Sequence, residues 1–129
     1  MKSKLLAGIF LLSTVFYSFT LVDVIDTIAS AIQTGNSKKL SDYFIENVDL
    51  KIIDREDIYS KQQAEMILKD FFSKHPVKSF SIAHKSTIKN GAQYIIGSLN
   101  TTNEKFRIYF LIKTTDSQTL IQQFKIENE

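Results

Sequence analysis

At 129 residues the chain is long enough for one well-filled core and too short for two, because burial becomes marginal in domains of roughly 60 residues. An apolar share of 43% with ten Phe and five Tyr excludes a disordered chain, and the absence of Cys excludes both a disulfide framework and a lipid-modified N-terminal cysteine. Sixteen basic residues stand against 14 acidic ones and are scattered, so the basic stripe of a nucleic-acid binder is missing.

Lys2 and Lys4 precede an apolar run from Leu5 to Phe19 of about fifteen residues, shorter than the roughly 20 that a spanning helix needs. The pattern is that of a secretory signal over residues 1–20, expected to be cleaved after Thr20, with Ser18 and Thr20 as the small residues at the cleavage site. Removing it takes the 16 basic residues to 14, level with the acidic ones. Export without disulfides implies a bacterial periplasm or cell surface; membrane attachment follows only if the segment stays uncleaved.

The domain then runs from residue 21 to 129. Leu21, Ile25, Ile28, Ala29 and Ile32 follow helical spacing up to Gly35, and Asn36 is placed to cap a short second helix, Ser37 to Phe44. Val48, Leu50 and Ile52 alternate as in a half-buried strand, with Ile58 and Tyr59 as a very short partner. Ser60 and Gln63 form a capping-box pattern at the head of the longest helix. Its stripe is Ala64, Ile67, Leu68, Phe71 and Phe72, and Pro76 ends it.

The rest reads as an antiparallel meander. A two-residue turn at Asn90-Gly91 sets Ile82 opposite Leu99, His84 opposite Gly97 and Ser86 opposite Ile95. A turn at Asn103-Glu104 then pairs Leu99 with Ile108, Gly97 with Phe110 and Ile95 with Ile112, so both hairpins agree on the apolar face. In Lys105 to Thr114, Phe106, Ile108, Phe110 and Ile112 take that face, which makes this stretch the middle strand. For the last strand, a two-residue turn at Asp116-Ser117 would turn Ile121 and Gln123 inward. An odd-length loop would turn Leu120, Phe124 and Ile126 inward and is the more hydrophobic choice.

The blocks AIQTGNSKKLSDYF, IYSKQQAEMILKDFF, FSIAH, YIIGSLNT, FRIYFLIK and IQQFKIE resemble an uncharacterised bacterial domain-of-unknown-function family within the nuclear transport factor 2-like, cystatin-like superfamily. The resemblance implies an α+β cone, a curved antiparallel sheet packed on one long helix with an N-terminal helical pair. It implies no reaction, because relatives in the superfamily range from isomerases and dehydratases to non-catalytic carriers.

Two sites follow from the register. Inside the cone, His84 faces Gly97 and neighbours Phe110. Either a small apolar ligand takes the space over the glycine, or Phe110 or a helix residue fills it. No acidic residue falls at an inward position of the meander, which argues against isomerase-type acid–base chemistry and leaves a His84–Tyr59 or His84–Asp57 pairing as the catalytic alternative, of isomerase, dehydratase or hydrolase type. His75 and His84 lie on different elements without a ligand-spaced acidic motif, so neither a metal nor a cofactor is expected. On the other sheet face, Tyr94, Ile96, Arg107, Tyr109 and Leu111 form a mixed aromatic and basic patch, expected to pack against a second copy or a protein partner. The reading is an exported, non-enzymatic binding or interaction domain.

Overall fold

A computed structural model describes residues 23–129. The expected signal segment and Leu21 lie outside the described residues. Helix α1 (Val24–Gln33) begins at Asp23, whose carboxylate accepts from the Ile25 N–H, and buries Ile25, Ile28, Ala31 and Ile32. It stops at Gly35, whose φ of 61° lets the Asn36 N–H reach back to the Ala31 carbonyl at 2.8 Å. Asn36 then caps α2 (Ser37–Ser41) by accepting from the Lys39 N–H. That helix ends before Phe44, which opens strand β1 (Phe44–Ile52) instead.

Strand β2 (Arg55–Ser60) is a full edge strand, with Tyr59 opposite Val48 and Arg55 opposite Ile52. Helix α3 (Lys61–Lys74) carries the expected capping box in full: the Ser60 hydroxyl accepts from the Gln63 N–H, and the Gln63 carbonyl oxygen accepts from the Ser60 N–H. Ala64, Leu68, Phe71 and Phe72 of α3 are buried.

Strands β3 (Val77–Thr87), β4 (Ala92–Thr101), β5 (Lys105–Thr115) and β6 (Gln118–Asn128) complete a six-stranded sheet in the order β2-β1-β6-β5-β4-β3. The meander is antiparallel throughout, and β5 and β6 are the two central strands. The sheet as a whole is mixed, because β1 joins β6 in parallel. Helix α3, between β2 and the meander, returns the chain to the same end of the sheet, which a hairpin would not.

Phe106, Ile108, Phe110 and Ile112 all lie in the core, beside Phe44, Ile95, Leu99, Phe124 and Ile126. Large side chains of this kind contribute roughly 1.5–3 kcal/mol each when fully buried. The turn between β4 and β5 falls one residue earlier than expected. Thr101 and Glu104 close it, the Thr101 hydroxyl taking the Glu104 N–H and giving to its carbonyl. Every pair between β4 and β5 therefore slides by two residues, so that Gly97 faces Ile108 and Ile95 faces Phe110. A slip of two preserves the side-chain alternation, so the inner face stays as expected.

Between β3 and β4 the slip is odd. The Ile88 N–H closes onto the Ala92 carbonyl around three residues, with Asn90 and Gly91 at φ of 67° and 74°, and a bulge lies between Ile82 and His84. Ile82 consequently faces Gly97, while His84 faces Ile96 on the outer side and is exposed. Strand β6 combines both of its alternatives. The two-residue turn at Asp116-Ser117 forms and turns Ile121 inward, then an extra residue at Gln122 switches the alternation so that Phe124 and Ile126 are buried too and Gln123 faces outward. Bulges of this kind bend a strand, and here they curve the sheet around the core.

Candidate functional site

The space over Gly97 is closed by Phe80, not by Phe110. A Cβ built on Gly97 would run into the edge of the Phe80 ring and would stand 2.9 Å from the Ser81 carbonyl. Phe110 packs in the core against Phe124, ring centroids 6.2 Å apart and stacked. His84 is out of reach of this region, and its Nε2 shares a 2.8 Å hydrogen bond with the Ser86 hydroxyl on the exposed side. It cannot pair with Tyr59 or Asp57 either, because β3 and β2 are opposite edges of the sheet.

A cavity of about 190 Å³ opens instead at the C-terminal end of α3. Ile52, Ile53, Ile67 and Phe71 make its apolar walls, and Arg55, Tyr59, Asp70, Lys74 and His75 supply polar atoms. Of the four expected cavity residues, Tyr59 alone lines it.

His75 is its least expected member. It continues the α3 stripe one turn beyond Phe71, but Pro76 forces the chain out of the helix, and His75 becomes the cap with φ of −128° and ψ of 75°. Its N–H still donates to the Phe71 carbonyl at 2.9 Å. The imidazole lies against two aromatic rings, 4.7 Å from Phe71 and 5.1 Å from Phe106 between centroids. Its Nδ1 is buried without a hydrogen-bond partner, a condition that costs about 1–3 kcal/mol when nothing satisfies the atom. The pattern was present in the sequence, since a polar ring at the next position of an apolar helical stripe cannot avoid facing the core side.

The opposite wall carries backbone strain. Ile53 sits at the β1–β2 turn with φ of 59°, a left-handed conformation that a β-branched residue adopts only at a cost of about 1–3 kcal/mol. Its N–H donates 2.8 Å to the Ile126 carbonyl of β6, which ties the turn to the middle of the sheet. Asp70 and Lys74 pair with each other at 3.0 Å on the exposed side of α3. Among the described residues no carboxylate pairs with Arg55, which is exposed at the rim. The arrangement can hold a small amphipathic molecule, apolar body inward and polar end toward His75 and Arg55. Among the described residues no cluster of three His, Asp or Glu could hold a metal ion.

On the outer sheet face the register does assemble the expected patch. Tyr94 pairs with Leu111, Ile96 with Tyr109, and Ser98 with Arg107, and the Tyr94 and Tyr109 rings stand 6.1 Å apart. Ion pairs flank it: Lys51 with Glu127 at 2.8 Å, Lys125 with Glu56 at 3.1 Å, and Arg107 with Glu129 at 3.6 Å. Burial pushes the Tyr94 phenol upward. It also raises the Asp49 carboxyl above its ordinary value, with Lys125 opposing the rise and Glu56 adding to it.

Over residues 25–127 the chain matches the family described as Domain of unknown function (DUF4783). A DUF4783 family protein from Bacteroides uniformis ATCC 8492, seen in a crystal structure, is 30% identical with a TM-score of 0.77, the match covering 83% of this chain and 98% of that one. A second, from Bacteroides fragilis YCH46, is 34% identical with a TM-score of 0.74, covering 80% and 96%. At 9% identity, where only the fold is comparable, a domain with a cystatin-like fold from Nostoc punctiforme gives a TM-score of 0.63 over 81% of this chain and 72% of that one. Proteins named for NTF2 share the fold as well. Among curated proteins nothing matches. The chain belongs to the DUF4783 family, a domain of unknown function, and has an α+β fold like that of the cystatin-like domain and of the proteins named for NTF2.

Proposed function

We propose that the protein is a non-catalytic binding domain of the bacterial envelope, and that its ligand site is the cavity at the end of α3. The observation that carries this reading is the cavity itself, about 190 Å³ with apolar walls and the polar side chains of Arg55, Tyr59 and His75 around it, the His75 Nδ1 lying unpartnered behind its wall. Strain at Ile53 supports it, because a β-branched residue held at positive φ is kept where the position matters more than the backbone cost. The envelope location rests on Lys2, Lys4 and the apolar run that follows them, together with the absence of Cys.

The test is native mass spectrometry of the protein purified from its own envelope without denaturation. A small molecule should accompany the wild type and be missing from Ile67→Trp, whose indole fills the cavity. Equal retention by both would overturn the reading. The mass of the same sample reports whether residues 1–20 have been removed.

The outer face supports a second activity, association with another copy of the chain. Tyr94, Ile96, Tyr109 and Leu111 are half-buried and contiguous, and charges of both signs surround them. That is an apolar centre with a polar rim, the make-up of a face that can pack on a second copy of itself. Tyr109→Glu places a charge in that centre. Sedimentation should then show a dimer for the wild type and a monomer for the variant; a monomer in both removes this reading.

A further inference from the structure

We infer that the ligand held at the end of α3 is a small carboxylate with an aromatic ring or a short aliphatic body. The inference rests on the cavity reading above and adds the chemistry of the occupant. Size sets the first limit. A cavity of about 150 Å³ lined by apolar side chains admits benzene, so the 190 Å³ here accommodates one ring or a short chain, with the polar group at the open rim.

The walls set the second limit. Ile52, Ile53, Ile67 and Phe71 offer the body of the ligand no hydrogen-bonding side chain, so that body is apolar. The polar end is selected by charge. Lys74 and Asp70 neutralise each other across their 3.0 Å pair, which leaves Arg55 to set the sign of the rim. A guanidinium presents two parallel N–H groups that match the two oxygens of a carboxylate, and such charge-assisted bonds are about twice as strong as neutral ones.

His75 fits the same partner. Its Nδ1, buried and without a hydrogen-bond partner among the described residues, lies behind the cavity wall, and with the proton on that nitrogen a small rotation of the ring lets it donate to a carboxylate oxygen. An ammonium ligand would meet Arg55 with like charge. A neutral amide would satisfy Nδ1 and leave Arg55 without its counter-ion, so it binds the same cavity more weakly. The ranking carboxylate over amide over amine is therefore built into the rim.

The experiment uses benzoate, benzamide and benzylamine, which share one ring and differ in the polar end, titrated into the isotopically labelled full domain and followed by nuclear magnetic resonance. Ligands of this size bind with Kd on the order of 1 mM, within reach of that method. Benzoate should bind about tenfold more tightly than benzamide, shifting the resonances of Ile53, Ile67 and His75, and Arg55→Gln should reduce the ratio to about twofold or less. Arg55 is an exposed strand residue, so the variant is expected to fold. His75→Phe keeps an aromatic ring between Phe71 and Phe106 and should weaken benzoate more than benzamide.

Equal binding of benzoate and benzamide at the cavity residues would overturn the carboxylate assignment and leave the cavity reading standing. So would a preference for benzoate that survives Arg55→Gln, since the charge would then come from elsewhere. A small molecule retained in the native mass spectrum and lost in Ile67→Trp, together with no response to benzoate, separates failure of the ligand class from failure of the site.

Discussion

The two ends of the cone differ in what closes them. Opposite Gly97 the sheet lacks a side chain, yet no opening remains, because the Phe80 ring on the edge strand lies over the glycine. At the end of α3 the apolar stripe gives way to His75 in the cap, and although large side chains surround that end about 190 Å³ stays open. The walls explain the contrast. Phe80 is a half-buried side chain able to rotate into whatever space its neighbour leaves. Ile53 and His75 are set by backbone, one in a turn tied to β6 and the other in a cap fixed by Pro76, so neither can collapse inward. Cavities persist where the surrounding backbone is pinned, and a missing side chain is poor evidence for one.

The largest expected effect tests the floor that both ends share. Phe110 is fully buried and stacked on Phe124, so Phe110→Ala should lower the unfolding free energy in urea by about 3–5 kcal/mol. A much smaller loss would mean that the interior is looser than the closed end implies. Next comes Gly97→Ala. The new methyl would strike the Phe80 ring and approach the Ser81 carbonyl, and a loss of about 1–3 kcal/mol is expected in the same measurement. Adding Phe80→Ala should return part of that loss. Strict additivity of the two substitutions would show that Phe80 is not what fills the gap.

Much of this architecture was readable from residue spacing. The capping box at Ser60, the stop at Gly35, the cap at Asn36 and the inner face of β5 are local patterns, and each formed as read. What local pattern could not supply was the count of residues across a turn. The β4–β5 turn moved by one position on a Thr101 hydroxyl, which shifted the partners by two and left the faces intact. On β3, a three-residue loop and a bulge moved His84 from the inner face to the outer one. The cavity was hidden for another reason: its walls all come from residues 52–75, but it exists only because Ile53 takes a left-handed turn and the end of α3 folds back beside β2, and neither shows in residue spacing. The outer patch, by contrast, needed only the alternation of β4 and β5, and Tyr94, Ile96, Arg107, Tyr109 and Leu111 do share one face.

A third substitution separates stability from ligand retention at the open end. Ile53→Gly relieves a conformation that glycine adopts without strain, but it adds entropy to the unfolded chain and removes a half-buried side chain packed against the core, so stability should change by no more than about 1 kcal/mol. The same change removes an apolar wall of the cavity, so the thermal midpoint should stay near that of the wild type while retention of the copurifying molecule falls. Unaltered retention would detach the strained turn from the site.

The smallest effect belongs to the histidine on the outer face of the sheet. His84 is exposed, and its hydrogen bond to Ser86 competes with water on both sides, so His84→Ala should change stability by no more than about 0.5 kcal/mol. Its removal should leave both the copurifying molecule and the response to benzoate unchanged. His75→Phe carries the opposite expectation, since it substitutes the one imidazole whose buried nitrogen lacks a partner. The two variants share an assay and differ in which imidazole is lost. If His84→Ala releases the ligand and His75→Phe does not, the ligand sits on the outer sheet face beside Ser86 and Ile96, and the cavity at the end of α3 is not the functional site.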